Sequence, residues 1–565
     1  MDQQLFNFAR VPAMKELLAN EDGSPAKQEV VDFYGGLATA IFLVGWASGG
    51  LVFGVLGDRI GRAKTMLMTI LVYSLCTGLS SFSVGFWDFA FYRLITGLGV
   101  GGEFAVGVAL VAEVMPNRAR QHALSFLQAL SAVGNVTAAT ITMYLGHLEQ
   151  SGLVGNWEVG PFTITTWRLM FMIGTIPALL AILIRGRLKE PEQWSRTVHD
   201  AQDDKSKKKV VAGSYAELFT DARWRHGALV GLALATSGVI GVWGIAFFSF
   251  DLVGSVLRKG EEAKVRQEKS VENSEIPLLA LVSQNPSLLN LATTNADGDK
   301  GKSIGEMIDG KAFVGTEPGL QDTGTLWTAI VAASKDRDSD VEATTPLTMD
   351  EIKEAINVDD DKEVDKDALV ALLGGSAATT DVEEAEKKAN QLALSITKRN
   401  GDINGFVTRN KGLAGILLNV GAFFGMYGFG AVSSRIGRRP TFLISFILAA
   451  GGAILVFYAF EKVEDLYWMF PIMGFCVLSP FAGYAIYFPE LFPTRLRSTG
   501  TSFCYNVGRY LAATGPLTLG ILTGFVFKDA PEPLRHAGIA MCCVYLIGII
   551  ALPFAKETKD QPLPE

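Results

Sequence analysis

Gly54-Val-Leu-Gly-Asp58-Arg59-Ile-Gly61-Arg62-Ala-Lys64-Thr-Met-Leu67 is a short charged hairpin between two long apolar runs. A second version, Gly430-Ala-Val-Ser-Ser434-Arg435-Ile-Gly437-Arg438-Arg439-Pro-Thr-Phe, stands 376 positions downstream. In both, the small-residue-rich end of an apolar run meets a turn that carries Arg and Gly. Two copies of one loop predict that the chain is built from two related halves.

A second motif is also repeated. Glu113-Val-Met-Pro116-Asn-Arg-Ala-Arg120 closes one apolar run, and Glu490-Leu-Phe-Pro493-Thr-Arg-Leu-Arg497 closes another, 377 positions later. Two independent motifs with nearly the same offset indicate an internal duplication. The offset also makes the polar segment 256–409 an insert between the first and second helices of the second half.

The composition is that of a membrane protein. The chain has 565 residues, of which 49% are hydrophobic and only 19% charged, with a mean hydropathy of +0.27. The apolar residues fall in blocks of about 20, long enough to cross a hydrocarbon core of roughly 30 Å. The sequence therefore predicts an all-α polytopic membrane protein. All five cysteines lie in apolar blocks, so we expect no disulfide framework.

Eleven clear spans are predicted. They are 33–56, 66–84, 88–113, 122–146, 167–186, 227–254, 411–433, 440–460, 466–489, 500–526 and 537–556. If each half has six helices, the first half lacks its first one, and we expect residues 2–18 to be the outer part of a truncated first helix.

The predicted organisation has six parts. They are a first half at 1–190, a basic cytoplasmic linker at 191–226, a helix at 227–255, an acidic extracytoplasmic insert at 256–409, the remaining helices at 410–556 and a cytoplasmic tail at 557–565. The sides follow from the Lys and Arg residues, which fall in alternate loops and mark those loops as cytoplasmic.

The paired motifs resemble those of the major facilitator superfamily, nearest its sugar-porter and metabolite:proton-symporter branches. Four further segments support the resemblance: Arg93 to Glu103, Trp167-Arg168, Glu190-Pro-Glu-Gln-Trp194 and Glu557-Thr-Lys559. The resemblance implies two pseudo-symmetric six-helix halves that rock around a central cavity. The cavity opens alternately to the two sides of the membrane. The clear spans would be helices 2 to 12 of this fold.

The resemblance also implies a cytoplasmic gate made by the repeated motifs. A carboxylate at Asp58 can cap a neighbouring helix and pair with arginines. The second copy has Ser434 at this position, which predicts two unequal half-gates. Alternatively, the arginines only anchor the topology. The residues implied are Asp58, Arg59, Gly61, Arg62, Glu113, Arg120, Arg435, Gly437, Arg438, Glu490 and Arg497.

Ionisable side chains within spans are costly and usually functional. Glu103 lies near the middle of span 88–113, where a carboxyl group could carry a proton or could be tied into an interhelical hydrogen bond. Arg93 and Arg509 could bind an anionic or hydroxyl-rich solute, or could form structural ion pairs. Asp2 is a second candidate proton carrier, since related symporters often have an acid in the first helix.

Polar and aromatic residues within the spans form a candidate solute site. Each one alone is more typical of helix–helix hydrogen bonding or packing, but together they fit a neutral or anionic solute. They are Gln128, which sits where sugar porters hold a substrate-binding Gln, Asn135, Trp243, Asn419, Tyr484, Tyr505 and Asn506.

The leading hypothesis is proton-coupled uptake of a small organic solute, either a sugar or an organic acid. A facilitative uniporter of the same fold and a non-transporting nutrient sensor are the alternatives. An enzyme is disfavoured, because the chain has only 5 histidines and shows no nucleophile–base set or metal-binding cluster. We expect no cofactor, metal or nucleic acid; the partners would be the solute, protons and lipid. We further expect a monomer in a bacterial plasma membrane.

Overall fold

The computed structural model describes most of the helical chain. The described residues are 2–18, 28–150, 157–159, 162–176, 190–192, 194–195, 213–267, 270–294, 300–307, 330, 347, 382–512 and 515–564. Contacts divide the chain into two compact units, one of Met1–Leu252 with Gly412–Glu565 and one of Val253–Lys411. The predicted insert, 256–409, falls within the second unit. Its place outside the membrane stays a prediction.

The first half is helical from near its start. Its helices are α1 (Asp2–Leu17), α2 (Gln28–Ile60), α3 (Arg62–Ser80), α4 (Phe86–Val114), α5 (Asn117–Gln150) and α6 (Thr166–Ile173). A small antiparallel hairpin of β1 (Trp157–Val159) and β2 (Phe162–Ile164) precedes α6, with Trp157 opposite Ile164.

The second half begins with α7 (Tyr215–Thr220) and α8 (Ala222–Ile240), followed by a π-helical turn, Gly241–Ala246. It continues after the second unit. The remaining helices are α12 (Val382–Ile436), α13 (Arg438–Ala459), α14 (Val463–Leu491), α15 (Arg497–Ala512), α16 (Gly515–Ile521), α17 (Pro533–Met541) and α18 (Tyr545–Ala551).

The second unit begins within α9 (Ser249–Gln267). The elements that follow α9 are α10 (Ser270–Gln284), β3 (Ala292–Thr294), β4 (Lys300–Ser303) and α11 (Ile304–Met307). The sequence predicts an amphipathic helix up to residue 397. In the structure this segment begins α12, and Ala385, Ala389, Ala393 and Ile396 are its buried positions.

Nine helices in the described part of the chain are long and apolar enough to cross a membrane. They correspond to nine of the eleven predicted spans. The other two predictions, 167–186 and 500–526, lie partly outside the described residues. The prediction of an all-α polytopic membrane protein is confirmed, whereas the number of spans stays a prediction.

The N-terminal helix is part of the first half rather than a loose extension. Phe6 on α1 is 1% exposed and packs against Phe42 of α2 and Phe89 of α4, with ring centroids 5.4 and 6.4 Å apart. That α1 is the outer part of a longer first helix stays a prediction.

Glycines let α2 and α4 approach closely. A Cβ atom at Gly49 would collide with the carbonyl oxygen of Leu98, and one at Gly101 with that of Trp46. Small residues at such crossings are what membrane helices use to bring backbones together. The close crossing positions Trp46 and the residues after Gly101, which belong to the site described below.

We expect Gly101→Ala to destabilise the protein, because the added methyl group overpacks a backbone contact at a cost of about 1–3 kcal/mol. The thermal midpoint in detergent should fall by several degrees. Gly107→Ala is the matched control on the same helix, since a Cβ there meets nothing within 4 Å. Equal midpoints for the two variants would contradict the close crossing.

Candidate functional site

The two repeated hairpins adopt the same local structure. Gly61 and Gly437 have φ values of 114° and 98°, a conformation that other residues rarely adopt. The Glu190 carboxylate accepts two backbone N–H bonds from the first turn of α3, each 3.1 Å long. Glu557 does the same for the first turn of α13, at 3.0 and 3.1 Å. These caps explain why α3 begins four residues before the predicted span.

The second cap is made by Glu557, which follows the last helix of the second half. Burial raises the pKa of Glu557, but hydrogen bonds from the backbone N–H groups of Arg438, Lys559 and Arg439 outweigh it and leave the pKa below its usual range. Glu557 is therefore ionised at neutral pH and can stabilise the positive end of α13.

Asp58 caps a helix of the opposite half. Its carboxylate is fully buried and accepts backbone N–H bonds from Ser498 at 3.2 Å and Thr499 at 2.8 Å, at the N-terminus of α15. The Thr499 hydroxyl donates a further bond of 2.6 Å, and Arg62 pairs with Asp58 at 2.9 Å. The carboxylate thus holds the inner ends of α2 and α15 together.

Arg62, Glu113 and Arg497 extend this contact. Arg62 lies 3.0 Å and Arg497 2.8 Å from the same Glu113 oxygen. Arg62 also donates to the carbonyl oxygens of Gly57 at 2.8 Å and Thr494 at 2.6 Å. Arg62 and Glu113 belong to the first half and Arg497 to the second, so the buried cluster joins the two halves.

The second copy of the motifs has a different bond pattern. Arg438 pairs with Glu490 through two bonds of 3.0 and 2.6 Å, and Thr558 donates to Glu490 at 2.6 Å. Ser434, which stands where the first copy has Asp58, donates only to Ala431 of its own helix. No carboxylate therefore replaces Asp58 at this position.

Three other predicted gate residues have different environments. Arg120 is buried and donates to the Ala112 carbonyl oxygen at 2.8 Å. Arg59 and Arg435 are exposed at the two hairpins. These two positions fit the alternative role of topology anchors better than the role of buried gate contacts.

The end of the linker was missed by the sequence analysis, yet it touches both halves. Tyr215 of α7 donates to the Leu51 carbonyl oxygen of α2 at 2.9 Å, and Glu217 pairs with Arg495 at 2.8 Å. Burial, and then the charge of Asp58, raise the pKa of Tyr215, which keeps its hydroxyl protonated as a donor. No local motif marks this segment, because its partners are distant in sequence.

A second cluster joins the middle of α2 to the last two turns of α15. The Arg509 guanidinium stacks between Trp46 and Tyr505, 4.3 and 4.0 Å from their ring centroids. Its Nη1 donates to Asn506 at 2.7 Å. Trp243 contacts the outer edge of this cluster, with its ring 6.2 Å from that of Trp46. We call these five residues the mid-membrane cluster.

Glu103 lies beside this cluster on α4. The next residue, Phe104, stacks on Tyr505 with ring centroids 3.9 Å apart. Glu103 is half-buried and shares a helix face with Gly107, whose neighbourhood is open. This face is opposite to that of Gly101, which packs on α2.

The remaining candidates are not all brought together. Asn135 and Asn419 bond to each other at 3.0 Å across the two halves, and the Tyr484 hydroxyl donates to the Leu234 carbonyl oxygen at 2.7 Å. Gln128 is half-buried on α5. Arg93 is buried within the first half, where it donates to Ser80 at 2.7 Å and lies 4.6 Å from the ring of Phe171.

Asp2 is the first residue of α1, and its side chain lies outside the described residues. Trp46 was not among the predicted site residues, because a single Trp in an apolar span gives no signal that separates a site from packing.

Known proteins share both the sequence motifs and the fold. The family model for sugar (and other) transporters matches residues 4–218 and 404–565, more than half of the chain. The chain belongs to this family of the major facilitator superfamily. It is therefore a multi-pass membrane protein of a transporter family, and the expectation that it is not an enzyme is confirmed.

Individual relatives match shorter stretches. The chain is 38% identical over 163 residues to a metabolite transport protein of Haemophilus influenzae, covering 29% of this chain and 36% of that protein. It is 30% identical over 177 residues to the sialic acid transporter NanX of Escherichia coli, covering 31% and 39%. The match thus spans about two fifths of these relatives.

A solved structure confirms the fold over the whole chain. The proton:xylose symporter XylE, bound to 6-bromo-6-deoxy-D-glucose, superposes with a TM-score of 0.53 at 15% identity. The superposition covers 100% of this chain and 95% of XylE. At this identity the similarity establishes the fold and not the solute.

We expect Asp58→Asn to favour conformations that are open to the cytoplasm, because hydrogen bonds to a charged group contribute about 1.5–3 kcal/mol each. A cysteine introduced at Ser502, which lies against Gly54 between α2 and α15, reports the opening. In a background without native cysteines, its maleimide labelling from the cytoplasmic side should become roughly tenfold faster.

Ser434→Ala is the matched control, because its hydroxyl makes no bond across the halves in the described residues. It should label at the wild-type rate. If Asp58→Asn and Ser434→Ala label equally, the inner contact does not depend on the Asp58 carboxylate.

Proposed function

We propose that this member of the superfamily is a secondary active transporter that takes up a small organic solute together with a proton by alternating access. The structure has its inner contacts formed through Asp58, and the candidate solute site lies deeper, around Arg509. In this proposal the two half-chains rock about the mid-membrane cluster and break the inner contacts when they open to the cytoplasm.

The observation that carries the proton coupling is the position of Glu103. A half-buried carboxyl group in a membrane span is costly unless it has a function. Its neighbour Phe104 stacks on Tyr505, which in turn lies against the Arg509 guanidinium. Protonation of Glu103 would therefore remove a negative charge next to Phe104, the residue through which α4 contacts α15, the proposed solute-binding helix.

The gate residues are assigned roles on the same reasoning. Asp58, Arg62, Glu113 and Arg497 would form the stronger half-gate, because their bonds cross from one half to the other. Arg438 and Glu490, with Arg120 of the first half nearby, would form the weaker one, since this copy has Ser434 in place of the Asp58 carboxylate. The inner contacts would face the cytoplasm of a bacterial cell, with the chain end at Pro564 on the same side.

The coupling can be tested with Glu103→Gln, which keeps the size of the side chain but cannot carry the exchangeable proton. Proteoliposomes are assayed for uptake of radiolabelled D-glucose, D-glucuronate and N-acetylneuraminate, with and without an inward proton gradient. The gradient should speed wild-type uptake several-fold. Glu103→Gln should lose this response and keep solute counterflow.

Glu464→Gln is the control, since Glu464 is an exposed carboxylate in the first turn of α14. It should respond to the gradient like the wild type. Uptake that ignores the gradient in the wild type would instead establish a uniporter. Binding without any uptake would establish a sensor.

A further inference from the structure

Arg509 differs from four of the other buried arginines in what surrounds it. Arg62, Arg168, Arg438 and Arg497 each lie within 3.0 Å of a carboxylate oxygen. Arg509 is only 5% exposed, yet its hydrogen-bond partners within the described part of the chain are both neutral, the amide of Asn506 and the hydroxyl of Tyr505. Two aromatic faces supply its other contacts.

A buried cation without a counter-ion is unfavourable, because removal of the guanidinium from water is not offset by an ion pair. The aromatic faces of Trp46 and Tyr505 compensate part of this loss. They leave the fork of N–H groups without a charged acceptor. A carboxylate matches this fork in charge and in geometry.

The unsatisfied polar atoms in the mid-membrane cluster are of one kind. Among the described residues, neither Arg509 Nε nor Trp46 Nε1 has a hydrogen-bond partner; both atoms are buried, and both are donors. Both ends of the Asn506 amide are already engaged, with Arg509 on one side and Ser502 on the other. A ligand that only accepts hydrogen bonds fits these atoms, whereas a sugar hydroxyl would also need an acceptor.

The adjoining helix α8 does not alter this argument. Thr236, which lies against Gly508, has a buried hydroxyl without a partner, as does Ser237. A hydroxyl can donate or accept, so these two groups would serve either kind of ligand.

We propose that the transported solute is an organic carboxylate, whose acid group binds Arg509 and Trp46 Nε1 and whose remaining atoms lie against the rings of Trp46, Tyr505 and Trp243. The inference rests on the proposed transport function and names its solute class. The rings favour an organic anion over a small inorganic one, because they offer apolar faces and few polar groups.

The wild type is tested first, by binding in detergent without any proton gradient. Thermal shift and tryptophan fluorescence are measured with three matched pairs: D-glucuronate and D-glucose, benzoate and benzamide, and N-acetylneuraminate and its methyl ester. Inorganic phosphate is a seventh probe. At least one carboxylate should stabilise the protein and change its fluorescence, while its neutral partner should have at least tenfold lower affinity.

Variants then place the binding. Arg509→Gln should weaken carboxylate affinity by about a hundredfold, as expected for loss of charge-assisted bonds. Trp46→Phe keeps the ring but removes the indole donor, and should weaken it by roughly tenfold. Trp468→Phe is the control, since Trp468 is exposed on α14 and should leave affinity unchanged.

If Arg509→Gln does not fold, Trp46→Phe still tests the inference, because this variant retains the guanidinium and an aromatic ring. Stabilisation by neutral sugars alone, by phosphate alone or by none of the probes would overturn the inference. So would a carboxylate that binds both variants as tightly as the wild type. Proton-driven uptake of a neutral sugar would overturn the carboxylate inference and leave the proposed symport intact. Carboxylate binding without proton coupling would overturn the symport and leave the carboxylate inference intact.

Discussion

The buried Asp58 carboxylate is the contact that joins the end of α2 in the first half to the start of α15 in the second. It accepts three hydrogen bonds from Ser498 and Thr499 at the start of α15, and it pairs with Arg62. Backbone N–H groups at a helix N-terminus and a negative charge stabilise each other. Asp58 and α15 belong to different halves. One carboxylate therefore accepts hydrogen bonds from the first backbone N–H groups of α15 and holds the two halves in one arrangement. The arginines around Glu113 keep the surrounding charges paired.

The same helix reaches the mid-membrane cluster. Ten residues separate Thr499 from Arg509, about 15 Å along α15. A movement that frees the start of α15 from Asp58 therefore also moves the guanidinium relative to Trp46 on α2. In the proposed transport cycle, this geometry would link solute binding to gate opening without an intermediate signal, because both events would concern the contact between α2 and α15. The bond pattern of the other copy, with Ser434 bonded within its own helix, leaves the link concentrated on one side of the pseudo-symmetric molecule.

The repeated motifs predicted the fold, and the carboxylate of Asp58 at a helix end predicted a helix cap. Two motifs with nearly equal offsets indicated the two halves, and a carboxylate at a helix end predicted capping by Asp58. The partners Ser498 and Thr499 could not be identified, because they are 440 positions away and carry no local signal. Trp46 and Tyr215 could not be identified from the sequence for the same reason, because their roles come from packing between helices. Asn135 and Asn419 were grouped as solute ligands, yet the structure bonds them to each other. Polar residues alone do not reveal whether their partner is a solute or another helix.

The central claim is that ionised carboxylates hold the inner ends of the halves together. It is tested most directly by electron-spin distance measurements in lipid nanodiscs between labels at Ile60 and Ile436, the exposed ends of α2 and α12. A single short distance should dominate at neutral pH, and a longer one should grow as the pH falls, because a protonated carboxyl group no longer pairs with arginine. A long distance at neutral pH, or a distribution that ignores pH, would contradict this account.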